Sequence, residues 1–193
     1  MRQVRKGFVP EDPAESEGLQ SSTGLLISLL MRHPEIASIR FSRQNQALKF
    51  TFVVKAVLSR ADWEAFVQRL RDSVEAFHSL NGFQDVPLAV RRSPYRDLTL
   101  IEIMRDVATL SQEEIALLTR ITAETFAGKL VMEKDADARE PEEEEAAYQD
   151  ELIQSLLDDL KVSDGGRDLI GYREAGRVFV FNKGVGNARR NTW

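Results

Sequence analysis

Two histidines, His33 and His78, are the side chains of this sequence best suited to proton transfer or metal ligation near neutral pH. Each is predicted at the end of a helix, where a positive charge interacts favourably with the helix dipole. Neither belongs to a His-Glu-x-x-His zinc motif, and no Gly-x-Ser-x-Gly nucleophile elbow accompanies them. We therefore interpret both as structural and predict no catalytic residue, no metal ligand and no cofactor.

Carboxylates adjacent in sequence occur at residues 142–145 and 158–159. Both groups are predicted on polar helix faces in water, and the aspartate spacing of an EF-hand calcium loop is missing. Gly184-Val185-Gly186 has the spacing of part of a phosphate-binding turn, but only seven residues follow it, too few to complete a βαβ unit. We therefore predict that the protein is not an enzyme.

The last segment of the chain mixes basic with aromatic residues. Such a mixture is typical of single-stranded RNA binding, because cations contact phosphate while exposed rings stack on bases. The candidate RNA-binding residues are Arg173, Arg177, Lys183, Arg189 and Arg190. In the competing interpretation, Phe179 and Phe181 share the buried face of a hairpin and pack under the preceding helix.

An amphipathic helix is predicted from residue 146 to about residue 161, followed by a hairpin. An isolated hairpin is only marginally stable in water, so this helix-hairpin module must dock on its own body, on a second copy or on another protein. The apolar stripe of the helix supplies the candidate partner-binding residues, which are Tyr148, Leu152, Leu156 and Leu160.

A strand-to-helix joint that occurs twice organises the rest of the chain. Asp62 stands three residues after Ser59, and the same spacing recurs 52 residues later between Ser111 and Glu114. Each serine is predicted to cap a helix, and each acid to close a capping box. At this offset the strand phases disagree unless a one-residue slip or bulge intervenes, so internal duplication and independent local capping both stay open.

These elements predict an α+β fold. An antiparallel sheet of about four strands, in an α-ββα-ββα order, carries helices on one face, and the small C-terminal helix-hairpin module is attached to it. The first helix, residues 21–33, is apolar on nearly every side and is predicted to be buried in the core or against a partner. The divisions are a flexible N-terminal segment 1–20, the α+β body 21–132, an acidic linker 133–145, the helix-hairpin module 146–182 and a basic tail 183–193.

Composition limits the function further. The 193 residues include no cysteine, which excludes disulfides and thiolate metal sites and favours a reducing cytoplasm. The longest apolar run, residues 25–31, is too short to cross a membrane, so no membrane partner is expected. Charge is segregated, with −9 over residues 133–163 and +3 over residues 164–193.

From these features we expect a soluble, cytoplasmic, non-enzymatic adaptor, regulator or chaperone-like protein that binds another protein or a second copy of itself. The alternative is an RNA- or ribosome-associated protein that binds through its basic, aromatic C-terminal segment.

Overall fold

The computed structural model describes residues 13–132, 142–163 and 167–182. Four helices and six strands occur in these residues. In chain order they are α1 (Pro13–Arg32), β1 (Ser38–Ser42), β2 (Ala47–Val54), α2 (Arg60–Leu80), β3 (Leu88–Tyr95), β4 (Leu98–Asp106), α3 (Gln112–Thr125), α4 (Glu143–Val162), β5 (Leu169–Glu174) and β6 (Arg177–Asn182). The predicted α+β class with an antiparallel sheet is confirmed.

The strands form one six-stranded sheet in the order β3-β4-β2-β1-β5-β6, so the predicted count of about four strands is wrong. The C-terminal hairpin continues the sheet of the body, because β5 pairs antiparallel with β1 and places Gly171 opposite Ile39. Without this pairing, β1 would be an edge strand with unpaired backbone amides and carbonyls.

Helices cover one face of the sheet. Alternate residues of the central strands point into this layer, among them Phe50 and Phe52 of β2 and Ile101 and Ile103 of β4. Helix α1 packs on β1, β5 and β6, and α4 packs on α1 and α3. The buried residues of α4 are Ile153, Leu157 and Leu160. The predicted C-terminal module is therefore integrated into the helical layer and the sheet rather than attached beside them.

Several predicted boundaries differ from the structure. Helix α1 begins at Pro13 rather than at residue 21, so part of the predicted flexible segment is helical. Residues 143–145 of the predicted acidic linker form the first turn of α4, where their negative charges interact favourably with the positive end of the helix dipole. Residues 1–12, residues 133–141 of the linker and the basic tail 183–193 lie outside the described residues.

Both predicted serine caps are present. The amide of Asp62 donates to Ser59 Oγ over 3.1 Å, and the amide of Glu114 donates to Ser111 Oγ over 3.3 Å. Neither acid closes a capping box: the Asp62 carboxylate accepts from Ser59 Oγ over 2.7 Å rather than from the Ser59 amide, and the Glu114 carboxylate turns into the core. The two joints also differ in length. From the last inward-facing side chain of the strand to the capping serine, the joint after β4 has one residue more than the joint after β2. This slip accounts for the disagreement in strand phase and leaves duplication an open interpretation.

A glycine marks the point where β5 passes beneath α1. A Cβ atom on Gly171 would lie 2.9 Å from Leu30 Cδ1, closer than packed atoms tolerate. We predict that Gly171→Ala lowers the free energy of unfolding by about 1–3 kcal/mol through overpacking. The matched control is Gly24→Ala in α1, where the nearest atom would be Leu156 Cδ2 at 3.7 Å. The control should be neutral or stabilise the protein by up to about 1 kcal/mol, because alanine favours the helix. Urea denaturation measures both, and equal midpoints would contradict the described packing of β5.

Candidate functional site

A buried ion pair joins β4 to the first turn of α3. Arg105 Nε donates to Glu114 Oε1 over 2.5 Å, and Arg105 Nη2 donates to Oε2 over 3.1 Å. His78, in the last turn of α2, is hydrogen bonded through Nε2 to the same Oε2 at 2.9 Å. Side chains from three elements therefore meet at one carboxylate that has no exposure to solvent.

The Arg105 guanidinium has further partners around its rim. Nη1 donates to the Pro87 carbonyl and to the Asp106 carboxylate, and Nη2 donates to Thr109 Oγ1 over 3.0 Å. Partial burial raises the pKa of Asp106, but the hydrogen bonds from Thr109 and the charge of Arg105 outweigh it, so the pKa lies below its usual value. The cluster thus ties the segment before β3 to β4, α2 and α3.

This cluster is the closest approach to a catalytic arrangement among the described residues. His78 lines a cavity of about 510 Å³ between the end of α2 and residues 83–88. No hydroxyl or other nucleophile is hydrogen bonded to His78 Nδ1 in the described structure. Arg105 bonds both oxygens of Glu114, so the cluster links β4, α2 and α3.

A second polar cluster fixes α4 to the helical layer. Arg32, at the end of α1, pairs with Asp150 through two hydrogen bonds of 2.8 and 3.1 Å. Gln112 Nε2 also donates to Asp150 Oδ1 over 2.7 Å, and the backbone N–H of Gln112 donates to Gln154 Oε1 over 2.9 Å. These bonds connect three helices at the N-terminus of α3. Nearby, burial and the charge of Arg32 lower the pKa of His33 to about 4.

The predicted partner-binding stripe of α4 is divided by this docking. Leu160 is fully buried, and Leu156 packs against the core. Tyr148 and Leu152 remain 67% and 40% exposed. The C-terminal half of the stripe therefore binds the protein's own body, and only the N-terminal half is accessible to another molecule.

Two residues of α1 extend the accessible half. The pairs Arg32–Asp150 and Gly24–Leu156 show that α1 and α4 pack antiparallel, which places residues 27–31 level with about residues 150–154, so that Leu152 lies beside them and Tyr148 one turn further along α4. Ile27 is 37% and Met31 64% exposed, whereas their neighbours Leu26 and Leu30 are buried. We name the group formed by Ile27, Met31, Tyr148 and Leu152 the seam patch. The apolar run of α1, predicted to face the core or a partner, thus supplies residues to the core and to this patch.

Only Arg173 and Arg177 of the predicted RNA-binding residues are described, because Lys183, Arg189 and Arg190 lie in the segment 183–193. Arg173 lies on the helix-facing side of β5, where its Nη2 donates to the Leu30 carbonyl at the end of α1. It is therefore not available on the open face of the sheet. Arg177 is exposed beside the hairpin turn.

The expected burial of Phe179 and Phe181 under the helix is wrong. Val178 and Val180 pack against the core instead, because Val180 lies opposite Gly171 beneath α1. Strand alternation then places Phe179 and Phe181 on the sheet face that carries no helix, beside Tyr172 of β5. Their ring centroids lie 5.8–6.4 Å apart. We name Tyr172, Phe179 and Phe181 the ring cluster.

None of the helices in the described part of the chain combines the length and apolar character of a membrane span. Comparisons with protein-family models, with curated proteins and with solved structures find no match to this chain. The two accessible surfaces, the seam patch and the ring cluster, are therefore the structural basis for assigning a function.

We predict that Glu114→Gln lowers the free energy of unfolding by about 3–5 kcal/mol, because it removes the fully buried one of the two carboxylates that compensate the buried Arg105 guanidinium. The matched control is Glu113→Gln, one residue earlier and exposed. This control removes only a favourable charge at a helix N-terminus, worth about 0.3–1 kcal/mol. Denaturant unfolding at neutral pH measures both. Similar losses in the two variants would contradict the structural role of the buried pair.

His33 predicts a specific dependence of stability on pH. Its pKa is about 4 in the folded protein against 6.5 for the free side chain, so the unfolded chain binds more protons between these values. The contribution of His33 is complete above pH 6.5 and falls by about 3 kcal/mol as the pH drops to 4. In His33→Asn the free energy of unfolding should therefore change less over this range. Equal pH slopes for variant and parent, measured by urea unfolding, would contradict the prediction.

Proposed function

We propose that the protein is a non-enzymatic cytoplasmic adaptor or regulator that binds another protein through the seam patch. The observation that carries this proposal is the exposure of large apolar side chains from two packed helices, above all Met31 at 64% and Tyr148 at 67%. Contiguous exposed apolar groups commonly mark interaction sites, and methionine and tyrosine are enriched in interfaces. Tyr148 and Leu152 are also two of the residues that sequence periodicity predicts to contact a partner.

The charge around the seam patch indicates the chemistry of the partner. Helix α4 carries seven acidic residues and a single lysine, and Glu151 directly precedes Leu152. A partner that buries the patch therefore gains from Lys or Arg residues flanking its apolar side chains. An amphipathic helix with a basic rim fits this description, because it can lie along the seam between two antiparallel helices.

The hydrogen bonds of the buried charged groups support a binding role over catalysis. Arg105, Glu114 and Asp150 are each bonded to protein groups that hold secondary-structure elements together. RNA binding through the predicted basic residues remains the alternative proposal. Among its described members only Arg177 is accessible, so the geometry favours the seam patch.

The test of this proposal uses Met31→Ser with Tyr148→Ser. Both side chains are largely exposed, so the double variant should unfold within about 1 kcal/mol of the parent. We predict at least a tenfold loss of affinity for the partner, because apolar residues at the centre of an interface supply most of its energy. The matched control is Leu80→Ser, which removes an 89% exposed leucine at the end of α2.

The measurement is quantitative capture from nuclease-treated lysate, followed by titration of the captured protein against the purified variants. Sedimentation of the protein alone shows whether the partner is a second copy, in which case the parent and the control dimerise and the double variant does not. Equal affinity and equal size for the parent, the double variant and the control would contradict the proposal.

A further inference from the structure

We propose that the helix-free face of the sheet binds single-stranded nucleic acid, with bases stacked on the ring cluster. This inference goes beyond the seam patch and does not depend on it, because the two surfaces belong to opposite sides of the molecule. The helices cover the face that contains Ile101 and Ile103, whereas the ring cluster stands on the other face.

The rings form a platform suited to bases. Tyr172 and Phe181 are nearly parallel, with an angle of 14° between their planes, and Phe179 is tilted 19° from Phe181. Phe181 is 49% exposed, although it lies within a regular antiparallel pair of strands. Every base has a π face, so exposed aromatic rings on a rigid sheet bind single strands with little sequence preference.

Cations lie in the same rows of the sheet as the rings. The row that contains Phe181 continues through Ile170 to Arg40 on β1 and then to Lys49 on β2. Arg40 is exposed. Neighbouring strands are about 4.8 Å apart, so Arg40 and Phe181 are separated by about 10 Å across the sheet. A nucleotide whose base stacks on Phe181 can therefore bring a phosphate to the Arg40 guanidinium.

Acidic groups on this face are partly compensated by cations. Glu102 is bonded to Lys49 at 2.5 Å, and Asp106 is paired with Arg105. The row that contains Tyr172 and Phe179 ends at Arg91 on β3, which is also exposed. The excess of acid lies instead on α4, on the helical side. This distribution explains how a protein of net charge −5 presents one surface to a polyanion while another surface repels it.

The experiment measures fluorescence anisotropy of labelled twelve-nucleotide probes titrated with the full chain. Single-stranded RNA and single-stranded DNA of one mixed sequence form separate arms, which identify the kind of strand, and duplex RNA is the comparison. We expect single strands to bind and the duplex to bind more weakly, because stacked bases cannot reach the rings. Affinity should fall between 50 and 200 mM salt, as phosphate contacts require.

Variants assign the binding to the surface. Phe181→Leu and Tyr172→Leu keep apolar bulk on the sheet but remove the ring, and each should weaken binding about tenfold. Arg40→Gln should weaken binding and reduce the salt slope by about 0.7, the value for one phosphate contact with a single strand. The matched control is Phe83→Leu, which removes a 50% exposed ring beside His78, away from this face, and should bind as the parent does.

Circular dichroism confirms that each variant is folded before it is titrated. The proposal is overturned if neither single strand binds at 50 mM salt, or if Phe181→Leu and Tyr172→Leu bind as tightly as the parent. It is also overturned if duplex and single strands bind equally, which would indicate contact with phosphate alone. Loss of binding after removal of residues 183–193, with unchanged affinity in the ring variants, would assign the site to the basic tail instead.

Discussion

The bond between Arg105 and Glu114 is the interaction on which the arrangement of the helices depends. A guanidinium placed in a protein core is tolerated only when a carboxylate and further hydrogen bonds compensate it. Glu114 meets this requirement from the first turn of α3 and thereby fixes where that helix begins. Gln112 lies in the same turn and holds Asp150 of α4, which in turn holds Arg32 of α1. The proposed binding surface at the seam of α1 and α4 is thus positioned by a sequence of polar contacts that starts at β4.

The opposite face of the sheet is shaped by backbone pairing rather than by charge. Pairing of β5 with β1 brings Gly171 beneath α1, where a side chain would collide with Leu30. Once this residue faces the helices, alternation directs Tyr172 of β5 and the phenylalanines of β6 outward. The molecule consequently has an acidic helical side with exposed apolar groups and a sheet side with aromatic rings and exposed arginines. The two proposed binding surfaces therefore do not overlap.

The parts of this structure that follow from the sequence are those encoded locally. Serine caps at Ser59 and Ser111 and the α-ββα-ββα order are predictable from short patterns. The role of Glu114 is not, because an acid three residues after a capping serine has the same pattern whether it turns back to the cap or enters the core. The pairing of β5 with β1 joins strands far apart in the chain, and no local pattern specifies it. The phase of β6 is equally ambiguous, because valine and phenylalanine alternate and both are apolar.

Native-state hydrogen exchange of the parent and of Glu114→Gln tests most directly whether the buried pair organises this structure. If it does, the hydrogen-bonded amides of β4, of the last turn of α2, of α3 beyond its first turn and of α4 around Asp150 open together in the parent, with one common free energy. Replacing the carboxylate should then lower that free energy by the same amount at all four places. A loss of protection confined to α3, with β4, α2 and α4 unchanged, would show that the pair is only a local contact.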